Sequence, residues 1–443
     1  VYHRMCPARG FLNPPACKHV PMGRPPLSSR LTPFVTTIFA EMSALAVRTG
    51  AINLGQGFPD TDGPAEVAEA AVRAVREGRG NQYPPGPGIP ELRRAVAEHQ
   101  RRWYGLEWDP ESEVLVTAGA TEALAAALLA LLEPGDEVVA LEPYYDSYAA
   151  GIAMAGARRV PVTLRPEPAA ATGTGATPTG ATPTGATPTG AAGTTPSYRL
   201  DLDELRAAVT PATRLILLNS PHNPTGTVLN RTELEAVAAL ARERDLLVVT
   251  DEVYEHLVFD GAHIPIATLP GMRERTVSIS SAGKSYSFTG WKVGWVTAPA
   301  PLLAAVRTAK QYLTYVSSGP FQYAVAEALA LPDSYLAGLR ADLLRKRDLL
   351  SDGLTEAGFR VFRPSGTYFV TADITPLGEK DGVAFCMSLP ERCGVVAVPT
   401  QVFYDDPDAG RSIVRFAFCK KDEVLREAGA RLRRLGDGRT PAS

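Results

Sequence analysis

The chain is short of several things at once. Its five cysteines, Cys6, Cys17, Cys386, Cys393 and Cys419, are odd in number, widely scattered and free of any C-x-x-C spacing. They read as unpaired thiols in a reducing cytoplasm, not as a disulfide framework or a metal or redox pair. The six histidines share no short motif, so no metal site is expected. No apolar run approaches the ~20 residues of a membrane span; the longest, Ala123 to Leu132, reads as a short Ala/Leu helix. Neither sign of charge dominates: 45 basic and 48 acidic residues give a formal net charge of −3. Nothing in that balance points to nucleic acid or a membrane surface, which leaves small-molecule chemistry as the default. Lysine is the most telling scarcity. Arginine carries most of the positive charge, and only Lys284 and Lys292 stand between Lys18 and Lys310. An amine kept at two positions of an arginine-writing sequence suggests a chemical use for it.

With 443 residues, 45% of them hydrophobic, the chain can bury a full core and divide into a larger and a smaller domain. Residues 1–24 are basic and Pro-rich with no apolar h-region, so they read as an extension and not a secretory signal, with Met5 and Met22 as alternative starts. Residues 25–60 are expected to form an arm joining the small domain. From 61 to 310, helical periodicity at Ala65–Arg76 and Pro90–Trp103 gives way to short apolar runs alternating with helical stretches. The runs are EVLVTAG, EVVALEP, TRLILLNS, LLVVTDE, TVSISS and GWVTAP, with a T-E-L-E capping box expected to open a helix at Thr232. This is the pattern of an α/β domain with a large, doubly wound, mixed or parallel sheet of about seven strands. It is interrupted at 166–197 by a Gly, Ala, Thr and Pro stretch with GATPT three times in succession from Gly175, expected to be a surface insert with nothing to bury. Residues 311–436, with one long helical region from Tyr323 to Ala357 and the strands GTYFVTADI, GVVAVPT and VRFAF, read as a smaller α+β domain, and 437–443 as a tail.

The chemistry sits at the ends of these strands. In SISSAGKSYSFTGWKVGW, Lys284 lies between glycine and serine just after a strand, where partial desolvation would lower its pKa and fit it for an imine with a carbonyl. A lone lysine of this kind is ordinary; TDEVY changes the weighing. It ends another apolar strand with Asp251, a carboxylate able to keep a pyridine nitrogen protonated, as pyridoxal phosphate (PLP) chemistry requires. Asn223 in NSPHNPTG and Tyr254 can both reach a phenolic oxygen, whereas His222 reads as structural. TAGATEAL runs from a strand through glycine into a helix, so the N–H groups of Ala120 and Thr121 form a phosphate cradle that Ser281 and Lys292 can complete. Tyr145 of EPYYDSY can lie over a ring, and Arg415 of VRFAF can grip an α-carboxylate unless it serves a structural salt bridge. Tyr148, Tyr312 and Phe321 are expected as side-chain walls.

In this order, with GQGFPD and NQYPPGPG ahead of them, the motifs resemble the class I/II aminotransferases of PLP fold type I, from about Pro25 to Leu435. They are most similar to the kynurenine, glutamine and methionine aminotransferase branch and to bacterial N-succinyldiaminopimelate aminotransferases. The resemblance implies Lys284 as the cofactor-bound lysine, Asp251 at the pyridine nitrogen, and Asn223 and Tyr254 at the phenolic oxygen. It places Ala120, Thr121, Ser281 and Lys292 on the phosphate and Tyr145 on the ring. Gly57, Asn223 and Arg415 fall on the substrate carboxylate, and Tyr83 reaches the phosphate of a neighbouring subunit in a homodimer. The implied activity is ping-pong amino transfer from an L-amino acid to 2-oxoglutarate or pyruvate, with N-succinyldiaminopimelate transamination or cysteine-conjugate β-elimination as alternatives. A DNA-binding fusion would need a basic helix-turn-helix segment, and a dinucleotide dehydrogenase a G-x-G-x-x-G after a strand; neither motif is seen.

Overall fold

The computed structural model describes residues 27–34, 37–167 and 197–435. The N-terminal extension, the GATPT repeats and the C-terminal tail lie outside the described residues.

In chain order the strands of the large sheet are β1 (Val114–Thr117), β2 (Glu137–Glu142), β3 (Arg158–Glu167), β4 (Ser197–Leu200), β5 (Thr213–Asn219), β6 (Leu247–Asp251), β7 (Thr276–Ser281) and β8 (Gly294–Thr297). They lie side by side as β1-β8-β7-β6-β5-β2-β3-β4. The run β3-β2-β5-β6-β7 is parallel throughout, β8 runs antiparallel to both β7 and β1, and β4 runs antiparallel to β3. The sheet is mixed and mostly parallel, with β4 added to the seven expected strands. At four residues, SYRL is too short for periodicity to detect, although it alternates as an edge strand should, with Tyr198 and Leu200 buried and Arg199 exposed.

Central strands of such a sheet bury both faces and so need near-continuous apolar sequence. In β5, Leu215 and Leu217 face helices Gly119–Leu131 and Asp146–Ala155, while Ile216 and Leu218 face helix Arg231–Glu243. That last helix starts at Arg231, and its cap is Asn230, two residues before the expected cap at Thr232. Asn230 accepts from the Glu233 N–H at 3.0 Å and Glu233 accepts from the Asn230 N–H at 2.8 Å, a complete capping box two residues earlier. Glu233 also takes the Leu200 N–H at 3.2 Å, which ties the helix to β4. The long helix expected from Tyr323 to Ala357 is two helices, Gly319–Leu329 and Asp333–Glu356, because Pro332 has no N–H to donate and disfavours helix in the residue before it.

A second sheet contains β9 (Arg360–Phe362), β10 (Phe369–Asp373), β11 (Val398–Pro399) and β12 (Ile413–Ala417) in the order β9-β10-β12-β11, antiparallel throughout. Its core gathers Phe359, Phe385, Phe416 and Phe418, and also takes Val253, Tyr254 and Leu257 from the turn after β6, so the two sheets share apolar contacts beside the strand ends. Among the described residues no helix is long and apolar enough to cross a membrane. Trp295 on β8, 2% exposed, fills the third layer between β8 and helix Pro90–Tyr104. Trp295→Ala is expected to cost about 3–5 kcal/mol, whereas the exposed Glu235→Ala should stay within about 0.5 kcal/mol; equal shifts of the two urea midpoints would contradict this packing.

Candidate active site

Parallel strands end on the same side, and their carboxyl ends are where α/β sheets bind ligands. Here Asn219 closes β5 in register with Asp251, which closes β6, and Ser281 closes β7. Over this edge lies a cavity of about 460 Å³. Gly57, Ala120, Thr121, Tyr145, Asn223, Asp251, Tyr254, Ser281, Lys284, Lys292 and Arg415 all line it. Of the residues singled out by sequence, Tyr83 stands apart, 81% exposed and edge-on to Tyr315 at 5.6 Å between ring centroids, and the expected walls Tyr312 and Phe321 also lie outside the lining.

Asp251, Lys284 and Arg415 face this space with no ion-pair partner among the described residues. Asp251 is buried; its carboxylate accepts from the Tyr148 hydroxyl at 2.7 Å and the Val253 N–H at 3.3 Å, and Asn219 pins its carbonyl at 2.9 Å. Burial pushes its pKa up, those two donors draw it back, and no basic side chain among the described residues lies within 4.0 Å. Such an acceptor suits a positive group on a ligand. Lys284 follows β7 in the one-turn helix Ala282–Ser285, with its ammonium 5.7 Å from the ring centres of Tyr254 and Tyr368. Burial lowers its pKa, and the like charges of Lys292 and Arg415 add to the shift, so the neutral nucleophilic amine forms more readily than on a free lysine.

Arg415 comes from β12, where the two-residue period turns Val414 and Phe416 into the core and sends the guanidinium to the opposite side. It is 1% exposed. One nitrogen donates to the Asn223 side-chain oxygen at 2.9 Å, another to the Gly55 carbonyl at 2.8 Å, and its Nε has no partner. The Phe369 ring lies 4.0 Å beneath it, and burial pulls its pKa down to about 10. No carboxylate among the described residues lies within 4.0 Å, so the salt-bridge alternative fails there. With its oxygen engaged by Arg415, Asn223 offers its N–H groups to the cavity. Tyr254, pushed up by burial, keeps its phenolic proton and acts as a donor.

An uncapped helix end adjoins these groups. Helix Gly119–Leu131 begins without a side-chain cap, so its first N–H groups have no side-chain acceptor, as an anion-binding helix end requires. A Cβ on Gly119, which has φ +75°, would sit 3.2 Å from Lys292 Cε and Nζ, and one on Gly294 would sit 2.6 Å from the Gly119 carbonyl carbon. Glycine at both places lets the lysine lie against the helix end, and Lys292 takes a left-handed φ of 54° to do so.

Sequence reading missed the residues that hold the others in place. Tyr148, expected as a substrate wall, lines the cavity but spends its hydroxyl on Asp251. Tyr312 is 86% exposed and Phe321 stacks on Trp291, and neither lines the cavity. Asn219, which also accepts the Asn223 N–H at 2.7 Å, had no sequence signal beyond ending a strand. Tyr368 donates to the Gly57 carbonyl at 2.6 Å from a strand far along the chain. His222 is buried, bonded to Thr225 at 2.8 Å and depressed by burial to about 3, consistent with the structural reading.

Residues 49–432 match the family model described as aminotransferase class I and II. A probable N-succinyldiaminopimelate aminotransferase of Mycobacterium tuberculosis is 53% identical over 92% of this chain and 98% of its own length. The methionine aminotransferase of Escherichia coli is 40% identical over 92% and 98% respectively. The solved structure of N-succinyldiaminopimelate aminotransferase from M. tuberculosis superposes with a TM-score of 0.85, covering 92% of this chain and all of that one. A match over this length, on a fold whose strand ends gather an amine, a carboxylate and an unpaired guanidinium, places the chain in the class I and II aminotransferase family.

Proposed function

We propose that the cavity holds pyridoxal phosphate and transfers the amino group of a large neutral L-amino acid to a 2-oxo acid. The observation that carries this is the convergence of the buried Asp251 and Arg415 with the half-buried Lys284, none with an ion-pair partner among the described residues, beside an uncapped helix end with a lysine on it. When bound, PLP supplies an electron sink for the pair released as a substrate Cα loses its proton.

The protein's own groups do the rest. Asp251, oriented by Tyr148, keeps the proton on the ring nitrogen, and Tyr254 and Asn223 donate to the phenolic oxygen. The N–H groups of Ala120 and Thr121, with Ser281 and Lys292, hold the phosphate, and Tyr145 covers the ring. Lys284 would hold the cofactor's carbonyl carbon through its amine and, once free, would take the proton from the substrate Cα. Arg415, with Asn223 and Gly57, fixes the α-carboxylate so that the Cα–H bond stands across the ring. In this reading residues 61–310 hold the cofactor, 311–436 bring the carboxylate grip, and the exposed Tyr83 completes the site of a second copy in a homodimer.

Among the described residues, Lys284, Lys292 and Arg415 are the only cationic side chains lining the cavity, and the proposal assigns each of them. A second carboxylate on the substrate finds no free cation among these residues, which favours neutral side chains and broad acceptance, since apolar walls discriminate by only ~1–3 kcal/mol per methylene. The relative at 53% identity supports the second reading, N-succinyldiaminopimelate.

Lys284→Ala is expected to remain folded and lose at least about 10²–10⁴-fold in turnover; normal turnover would refute the assignment. In single-turnover mixing, methionine, glutamine, phenylalanine and kynurenine should release their keto acids at comparable rates. A far faster reaction with N-succinyldiaminopimelate than with any neutral amino acid would replace the substrate reading and leave the transaminase reading intact. Sedimentation at assay concentration should show a dimer, and a fully active monomer would rule out the role given to Tyr83.

A further inference from the structure

The turn that carries Asp251 and Tyr254 has a second face. Tyr254 packs toward the second sheet, while Glu255 and His256 point away from the cavity toward helix Pro90–Tyr104. There His99 Nε2 meets His256 Nε2 at 2.7 Å, with the two rings 88° apart. A carboxylate oxygen of Glu255 joins them, all three donor atoms lying within 4.8 Å of one another. The cluster is closed to solvent: His99 is 3% exposed, Glu255 4% and His256 9%. Both Glu255 oxygens are already oriented, one by the Tyr104 hydroxyl at 2.7 Å and the other by the Ser280 hydroxyl at 2.6 Å.

No lysine or arginine among the described residues lies within 4.0 Å of Glu255, whose charge is supported by the surrounding imidazoles and the Ser280 hydroxyl. Burial pulls the pKa of both imidazoles down, to about 3 for His256, and the short Nε2···Nε2 contact needs one ring to hold a proton that a metal ion would displace. His99 Nδ1 is buried without a partner. A buried carboxylate costs several kcal/mol unless a cation or a full set of hydrogen bonds compensates it. Two neutral imidazoles and one carboxylate, held by outer hydroxyls, form the donor set and the supporting shell of a divalent transition-metal site.

We propose that His99, Glu255 and His256 bind one divalent transition-metal ion, zinc being the best suited, which ties helix Pro90–Tyr104 to the turn behind the catalytic cavity. The spacing of the histidines, 157 residues apart in sequence, hides this set from any motif search. Tetrahedral ligation at ~2.0–2.1 Å sets donor atoms about 3.3 Å apart, so the two nitrogens, now 2.7 Å apart, part by roughly 0.6 Å and the carboxylate, now within 4.8 Å, closes in, leaving a fourth position for water. The ion would also clamp β7, because Ser280 holds the same carboxylate and directly precedes Ser281.

The test uses the untagged full chain, stripped with chelator, given a slight excess of zinc chloride and gel-filtered before elemental analysis. About one zinc should be retained per chain, with a melting temperature raised on the order of 5 °C. His99→Gln and His256→Gln should each retain at least about tenfold less, with unchanged circular dichroism and elution volume. If the wild type keeps almost no zinc and melts at the same temperature with and without it, the pair merely shares a proton and the site does not exist. Zinc retained equally by His99→Gln would also overturn it. Should His256→Gln fail to fold, the His99 variant decides alone, since its position is on a helix that accepts glutamine.

Discussion

A guanidinium stripped of water and given no carboxylate is among the most expensive things a fold can contain, on the order of several kcal/mol. Arg415 is such a group. Its compensation is partial: one amide oxygen, one main-chain carbonyl and an aromatic face, with Nε left over. What the rest of the structure contributes is rigidity around that deficit. β12 is hydrogen-bonded on both sides, to β10 and β11, so the guanidinium cannot swing out to solvent. Asn223 is held by Asn219, and Asn219 by the Asp251 carbonyl, so one hydrogen-bonded chain runs from the carboxylate grip to the acid at the end of β6.

The same logic explains the glycines that matter. Gly57 lies so close to Phe369 that a Cβ would be 2.4 Å from its ring, and Gly119 and Gly294 let the end of a helix, a strand and Lys292 meet at backbone distance. Side chains at these places would separate the charged groups from one another. The surrounding aromatic and aliphatic cores supply the stability that such an assembly of unpaired charge consumes.

Much of this was legible in the sequence because the site residues occupy strand ends, and strand ends follow apolar runs that periodicity detects. Lys284, Asp251, Asn223 and Arg415 each follow or sit in such a run, and the cavity lining contains them all. What sequence could not supply was mutual orientation. Nothing in EPYYDSY tells which tyrosine turns down to Asp251, and the structure gives that bond to Tyr148. Tyr312 and Phe321 do not line the cavity, Tyr312 being exposed and Phe321 stacked on Trp291, a matter of tertiary packing. Likewise Asn230 displaced Thr232 as helix cap, since each is a good cap with a glutamate three residues on and local preference does not separate them. The break at Pro332 was readable and was outweighed by the apolar periodicity on either side of it.

The central claim is that the unpaired guanidinium of Arg415 exists to bind the substrate's α-carboxylate. It is tested most directly by comparing methionine with its amide, methioninamide, in single-turnover amino transfer, for the wild type and for Arg415→Gln. The wild type should prefer the acid by about 30-fold or more, as expected when a buried charged pair worth ~2–5 kcal/mol loses one member, and the variant should show little preference between the two. A variant that still prefers the acid as strongly as the wild type would contradict the account.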